Sequence, residues 1–266
     1  MFQKTRERAS SVSQKLSVHV GEQALADTVI VLGAGGPNGI GGAVAMKFAT
    51  QGLHVLVCGR TLSKVEETAH WIRSTGASAD ALACDVTSED DQKTVFGKAR
   101  KLGQPLAAVI YNAGNNAPIP FEDLDARQFE DFWRVCCLGG FLSAKQAMPL
   151  LSRQGYGSML FTGASASLRG KANFGHFAAA KGALRNLAQS LAREYGPRGV
   201  HVAHVIIDGV VNGDRIRTRY GEYLENLGED GALSPPVIAE AFWMIHSQHR
   251  SAWTHELDLR PFKEAW

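Results

Sequence analysis

The chain is predicted to be α/β: a doubly wound parallel sheet between two helical layers, three layers in all, in a single domain. Three observations predict it. From Thr28 onward, short apolar runs alternate with longer amphipathic stretches, the pattern of strands buried on both faces and joined by helical crossovers. A glycine-crowded turn separates the first run from the first amphipathic stretch. The residues best suited to chemistry fall at the carboxyl ends of the runs, where open sheets of this kind bind ligands. Crossovers in such sheets are right-handed almost without exception, which fixes the winding.

Thr28–Leu32 (TVIVL) reads as the first, buried strand, followed by a helix from about Ile40 to Thr50. His54–Cys58 (HVLVC) is the second strand and Leu62–Ser74 the second helix. A third strand ends at Cys84 and leads into a helix over Glu89–Lys101. Leu106–Tyr111 (LAAVIY) is the fourth strand, and helical patterning then covers roughly Ala126–Leu151. Ser158–Thr162 is the fifth strand, Gly175–Tyr195 a long helix, Val200–Ile207 the sixth strand, and a last helix lies near Pro236–His246. The runs are too short for buried helices, whereas the stretches between them place apolar residues at helical spacing.

A chain of 266 residues is long enough to bury a substantial core. Its net charge of +2 supports neither a nucleic-acid partner nor an electrostatic membrane anchor. No apolar run approaches the ~18–20 residues of a membrane span. Cys58, Cys84, Cys136 and Cys137 lack C-x-x-C spacing, so no metal site or redox pair is expected, and reduced thiols in a cytoplasmic protein are the reading. Residues 1–27 carry Lys4, Arg6, Arg8 and Lys15 without an apolar core segment, so an N-terminal arm or disordered extension is expected rather than a secretory signal. Trp253, Phe262 and Trp266 make the C-terminus aromatic, as fits a docked tail.

The turn after the first strand reads Gly33-Ala34-Gly35-Gly36-Pro37-Asn38-Gly39-Ile40-Gly41. Such a turn brings backbone N–H groups close to a pyrophosphate, and the following helix N-terminus adds positive potential. After the second strand, where a binder of the ribose 2′-hydroxyl would carry an acid, the chain reads Cys58-Gly59-Arg60-Thr61. A guanidinium there pairs with a 2′-phosphate, so NADP(H) is favoured over NAD(H); a solvated helix-start arginine is the alternative.

Together with Asp85-Val86, Asn112-Ala113-Gly114 and a lysine four residues after Phe177, this pattern resembles the short-chain dehydrogenase/reductase family over about Thr28 to Val211. The resemblance implies a Rossmann-type fold, a nicotinamide dinucleotide, a small-molecule substrate and a homodimer or homotetramer built through the Ala126–Leu151 and Gly175–Tyr195 helices. It puts Asp85 and Val86 at the adenine, and Asn112, Ala113 and Gly114 beside the ribose. The family's T-G-x-x-x-G-x-G is altered, with Leu32 in place of Thr. Either Gly33 opens a turn two residues longer than usual, or Gly35, Gly39 and Gly41 keep the spacing.

In the family an Asn, a Ser, a Tyr and a Lys share the proton work. Here Lys181 matches the Lys and is expected at the ribose, but Phe177 replaces the Tyr. Ala164 stands where Ser belongs, thirteen residues before Phe177, and Ser165 serves only after a one-residue shift. Cys136 replaces the Asn. Asp208-Gly209-Val210-Val211 replaces the family's P-G-x-V, leaving Val211 to offer its backbone to the carboxamide. These departures resemble a divergent branch with Phe at the Tyr position. Loss of a positioned general acid costs roughly 10²–10⁴ in rate. Phe177 is expected to pack against the nicotinamide or line the substrate pocket. Ser165, Tyr111, His176, Cys136 and Asp208 are the substitute donors to weigh; Asp208 is the most suggestive, because a carboxylate beside a nicotinamide would be desolvated and its pKa raised. Tyr111 is expected to pack within its strand and His176 to face away. Asp214–Leu233 is the expected substrate loop, with Arg215, Arg217 and Arg219 either solvated or pairing with an anionic substrate group.

Two functions fit: an NADP(H)-dependent oxidoreductase acting on a carbonyl, an activated C=C bond or an imine, or a non-catalytic NADPH-binding sensor or partner subunit.

Overall fold

The computed structural model describes residues 26–264. The predicted N-terminal arm, apart from its last two residues, and Trp266 lie outside them. Seven parallel strands form one sheet: β1 (Thr28–Leu32), β2 (His54–Gly59), β3 (Ala79–Ala83), β4 (Leu106–Tyr111), β5 (Ser158–Thr162), β6 (His201–Ile207) and β7 (Glu256–Leu259). Their spatial order is β3-β2-β1-β4-β5-β6-β7. The chain starts at the middle, builds outward to β3, and returns to lay β4 on the other side of β1. The crossover directions reverse between β1 and β4, which opens a crevice beyond their carboxyl ends.

The helices are α1 (Ile40–Thr50), α2 (Leu62–Ser74), α3 (Glu89–Lys101), α4 (Ala126–Trp133), α5 (Gly139–Gln154), α6 (Gly175–Tyr195), α7 (Asp214–Asn226) and α8 (Pro235–His246). Strand alternation divides the core. Val29 and Val31 of β1 face one layer with Phe48 of α1 and Phe242 and Ile245 of α8. Ile30 and Leu32 face the other, with Phe96 of α3, Met148 of α5 and Leu184 of α6. Each such side chain contributes roughly 1.5–3 kcal/mol by leaving water.

Three elements differ from expectation. The helical stretch over Ala126–Leu151 is interrupted by a π-turn, Arg134–Leu138, between α4 and α5. The expected substrate loop is largely helical: α7 occupies Asp214–Asn226, with a kink at Tyr220 (φ −142°, ψ 41°). The aromatic tail contains the seventh strand, β7, whose sequence ELDL carries too few apolar residues to stand out and pairs only with β6.

Candidate active site

The glycine turn is held from three sides. Gly33 adopts φ +78°, and a Cβ there would strike the backbone of Ala113. Its carbonyl accepts a hydrogen bond from Asn112 Nδ2 (2.8 Å), and Asn112 Oδ1 accepts one from Thr162 Oγ1 (3.0 Å), so the ends of β1, β4 and β5 are tied together. Gly41 lies so close to Ala34 that any side chain would collide with its backbone. Gly33 therefore follows the strand end, while Gly39 is the N-cap of the helix and Gly41 packs in its first turn. Gly35 and Gly36 face open space where their side chains would be, as a phosphate cradle requires. Thr68 Oγ1 fixes the Gly35 carbonyl (2.8 Å). Ile40 begins α1, whose N-cap Gly39 makes no side-chain cap, leaving first-turn N–H groups toward the crevice. Asn38 Nδ2 donates to Asp214 Oδ2 (3.3 Å), tying this turn to the start of α7.

A cleft of about 250 Å³ is lined by Gly33, Gly35, Arg60, Lys64, Asp85, Val86, Asn112, Ala113 and Gly114. Arg60 and Lys64 are both exposed and place two cations on one rim. Lys64, in the first turn of α2, carries no motif of its own in the sequence, although it lies four residues after Arg60. Asp85 Oδ1 accepts from Thr87 N (2.9 Å) and Thr87 Oγ1 (2.8 Å), while the Val86 carbonyl accepts from Gln92 Nε2 (3.0 Å), so both are held by local bonds. A wider cavity of about 390 Å³ lies at the amino ends of the strands, among Tyr156, His201, His246 and Trp253, and contains none of the predicted site residues.

Beyond this cleft the character changes. Cys136, Phe177 and Ala180 form a small buried cluster against which Ala164 and Ala166 pack. Cys136, Ala164 and Phe177, the residues weighed from the sequence, thus meet in one apolar cluster. The Cys136 thiol donates weakly to the Asn115 carbonyl (3.7 Å). Ala164 packs against the cluster, and Ser165 opens a short 3-10 turn directly after it. Lys181 is 4% exposed and donates to the Thr162 carbonyl (2.8 Å); its Nζ lies 5.9 Å from the Phe177 ring centre. Burial pushes its pKa below the ordinary lysine value, with nearby Cys136 opposing that shift.

The substitute donors separate. Tyr111 packs in β4 as expected; its hydroxyl donates to the Val135 carbonyl in the π-turn, and burial drives its pKa well up. His176 turns away as expected, with Nε2 on the Ala117 carbonyl (3.1 Å) and its ring against Phe132. The expectation for Asp208 is corrected. Its carboxylate is buried but not isolated: Arg169 Nη2 reaches both oxygens (3.0 Å each), and Arg260 Nη2 lies 3.4 Å from one. Arg169 is separated from Asp208 by 39 residues and lies in a loop, so no sequence spacing announced the pair. Gly209 abuts Pro261, and Val211 bridges Leu233, so the C-terminal tail and the segment after α7 brace this wall. Arg215 donates to the Asn116 carbonyl and Arg217 Nε to Asn212 Oδ1 (2.7 Å).

A profile of the short chain dehydrogenase family matches residues 27–219. The chain belongs to this family. Among curated relatives it is 30% identical over 190 residues to the uncharacterized oxidoreductase YuxG of Bacillus subtilis, covering 70% of this chain but only 28% of that protein. It is 32% identical over 184 residues to the uncharacterized oxidoreductase YciK of Escherichia coli, covering 66% of this chain and 72% of that one. The crystal structure of a short-chain dehydrogenase from Rhodopseudomonas palustris superposes with a TM-score of 0.75 at 34% identity, covering 89% of this chain and 99% of that one. As a short-chain dehydrogenase, the protein carries the family's parallel sheet flanked by helices. No helix among the described residues is long and apolar enough to cross a membrane.

Proposed function

We propose that this short-chain dehydrogenase is an NADP(H)-dependent oxidoreductase whose hydride transfer proceeds without a side-chain acid at position 177. One observation carries the reading: a single cleft joins the glycine turn, the paired cations Arg60 and Lys64, and Asn112–Gly114. The open space over Gly35 and Gly36 fits a pyrophosphate, and the two cations fit a 2′-phosphate. Bound there, the nicotinamide cofactor supplies or accepts a hydride.

In this reading Arg60 and Lys64 hold the 2′-phosphate, Asp85 and Val86 the adenine, Lys181 the ribose, and Val211 the carboxamide. Phe177, Ala164 and Cys136 form an apolar wall that offers no strong acid to the substrate. That wall favours acceptors needing no strong acid: an activated C=C bond, protonated from solvent, or an iminium. It equally supports a second reading, a non-catalytic NADPH-binding sensor or partner subunit. A dimer is part of the proposal, because Phe129, Trp133 and Phe141 leave large apolar area exposed along α4 and α5.

Titration with NADPH and NADH, followed by nicotinamide fluorescence, tests the cofactor assignment. NADPH is expected to bind more tightly, and Arg60→Asp to weaken it by about 10–100-fold, the value of a charge-assisted hydrogen bond. Equal NADPH affinity in wild type and Arg60→Asp would overturn the preference. Turnover with enones or imines at saturating NADPH then favours the enzyme, and its absence across such a panel favours the sensor.

A further inference from the structure

Beneath Lys181, β6, β7 and α6 bring together polar groups that the proposed chemistry does not use. His204, in the middle of β6, is wholly buried, an uncommon site for an imidazole. Its Nδ1 is bonded to Glu256 Oε2 (3.2 Å), the residue directly beside it on β7. Glu256 is gripped by Arg185, with Nε to Oε2 at 2.6 Å and Nη2 to Oε1 at 2.8 Å. Arg185 lies four residues after Lys181, so the two cations occupy the same face of α6.

The other imidazole nitrogen is the informative one. Among the described residues, His204 Nε2 has no hydrogen-bond partner. It lies against Gly163, where any side chain would collide with the ring. Gly163 follows Thr162, whose carbonyl accepts the Lys181 ammonium. Lys181 and His204 thus approach the same peptide, Thr162–Gly163. Because a carboxylate accepts only, it selects the tautomer with the proton on Nδ1 and leaves Nε2 as a bare lone pair.

We propose that His204 is a positioning residue for Lys181: the Glu256–His204 pair presents the Nε2 lone pair beside the Thr162–Gly163 peptide and holds the lysine in its ammonium form. The phenol that accompanies the family's lysine is missing, and Cys136 replaces the polar Asn on the other side. The His–Glu pair takes over the electrostatic support of the charge from behind. This inference rests on the proposed cofactor site only for its functional arm.

The charged and titratable groups facing the pair are Lys181 and Arg185 from α6 and Glu256 from β7, with Cys136 facing Lys181 from the π-turn. Burial lowers the His204 pKa to about 4; Glu256 opposes the shift and the Lys181 charge adds to it. His204 is therefore neutral at physiological pH, as the proposed role requires.

Nitrogen-15 histidine NMR on wild type, Lys181→Met and Glu256→Gln tests the coupling with no cofactor present. The expected result is the Nδ1–H tautomer at pH 7, with a His204 titration midpoint that rises in Lys181→Met. The Nε2–H tautomer, or a midpoint unmoved in Lys181→Met, would overturn the proposal. The functional arm is NADPH affinity against pH in wild type, Glu256→Gln and His204→Asn. Affinity is expected to fall at alkaline pH as Lys181 loses its proton, and to fall about one unit earlier in the variants. An identical pH profile in wild type and Glu256→Gln, a partly exposed surface change, would count against the role even if His204→Asn fails to fold. Absence of NADPH binding in wild type at every pH would instead sink the cofactor site and leave the NMR result standing.

Discussion

The cleft between the glycine turn and Arg60 is open, polar and cationic, whereas the region around Phe177 is closed and apolar. Both lie at the carboxyl ends of the same parallel sheet, within one family's architecture. In the cleft, backbone sets the shape, and that shape is over-determined: Gly33 is pinned by Asn112, Gly35 by Thr68, and the helix start by close packing of Gly41. Around Phe177, chemistry depends on individual hydroxyl and amide groups, and single substitutions remove them without disturbing the fold. A binding site made of backbone and a catalytic set made of side chains can therefore diverge independently, and the proposed function rests on that independence.

The largest effect is expected from restoring the lost groups. Phe177→Tyr alone introduces a phenol into the apolar cluster with Ala164 and Cys136, with an expected cost of about 1–3 kcal/mol for a buried hydroxyl left unpaired. Phe177→Tyr with Ala164→Ser and Cys136→Asn supplies partners. The triple variant is expected to recover stability relative to the single one and to gain roughly 10²–10⁴ in NADPH oxidation across a carbonyl panel. Thermal melts and steady-state rates check both halves. A triple variant no faster than wild type would mean that more than these three side chains separates the two regions.

The next effect separates the regions by acid sensitivity. His204 and His246 have folded pKa values lowered to about 4 from 6.5, first by burial. The unfolded chain thus takes up protons before the folded one does. Their contribution is complete above about pH 6.5 and is lost as pH falls toward 4, at roughly 1.4 kcal/mol per histidine per pH unit as an upper bound. Glu256, held below its ordinary 4.5 chiefly by Arg185, adds a further loss at lower pH. Urea unfolding between pH 7 and pH 5 is expected to show falling stability, with a shallower slope in His246→Gln, which keeps a partner for Ser158. Hydrogen exchange at pH 5 is expected to loosen β6 and β7 before β1 and β2. Uniform loosening would erase this distinction between the halves.

The same contrast explains what the sequence disclosed. The alternation of apolar runs and amphipathic stretches is set by burial, so all six expected strands were legible from periodicity. The glycine turn and Arg60 were legible because backbone shape and charge at a strand end leave local marks. β7 was not, because an edge strand flanked on one side only needs little apolar character. The π-turn at Arg134–Leu138 was hidden because its residues continue a helical pattern; it is seen only where Tyr111 meets Val135. Asp208 was misjudged because its partner Arg169 comes from a distant loop. Lys64, four residues after Arg60, has no signature of its own, because a lysine in a helix's first turn is ordinary. His204 carried no local signal at all: an imidazole in an apolar strand acquires meaning only from the strand that pairs with it.

The smallest effect is confined to the cleft and tests whether its rigidity matters. Thr68 is fully buried, and its hydroxyl donates to the Gly35 carbonyl (2.8 Å) while also lying 3.2 Å from the Lys64 carbonyl of its own helix. Thr68→Val preserves shape and removes the donor, so the cost is one hydrogen bond, about 0.5–1.5 kcal/mol. Because that bond joins α2 to the turn that would cradle a pyrophosphate, NADPH affinity is expected to fall about 3–10-fold, the same energy read as an equilibrium constant. Thr68→Ser keeps the donor and is expected to bind as wild type does. Neither change touches the groups around Lys181, so the His204 spectrum should be the same in both variants. An altered His204 spectrum in Thr68→Val would show that the two regions are mechanically joined through β1 and Asn112. Unchanged affinity would mean that the turn holds its shape through Gly33 and Gly41 alone.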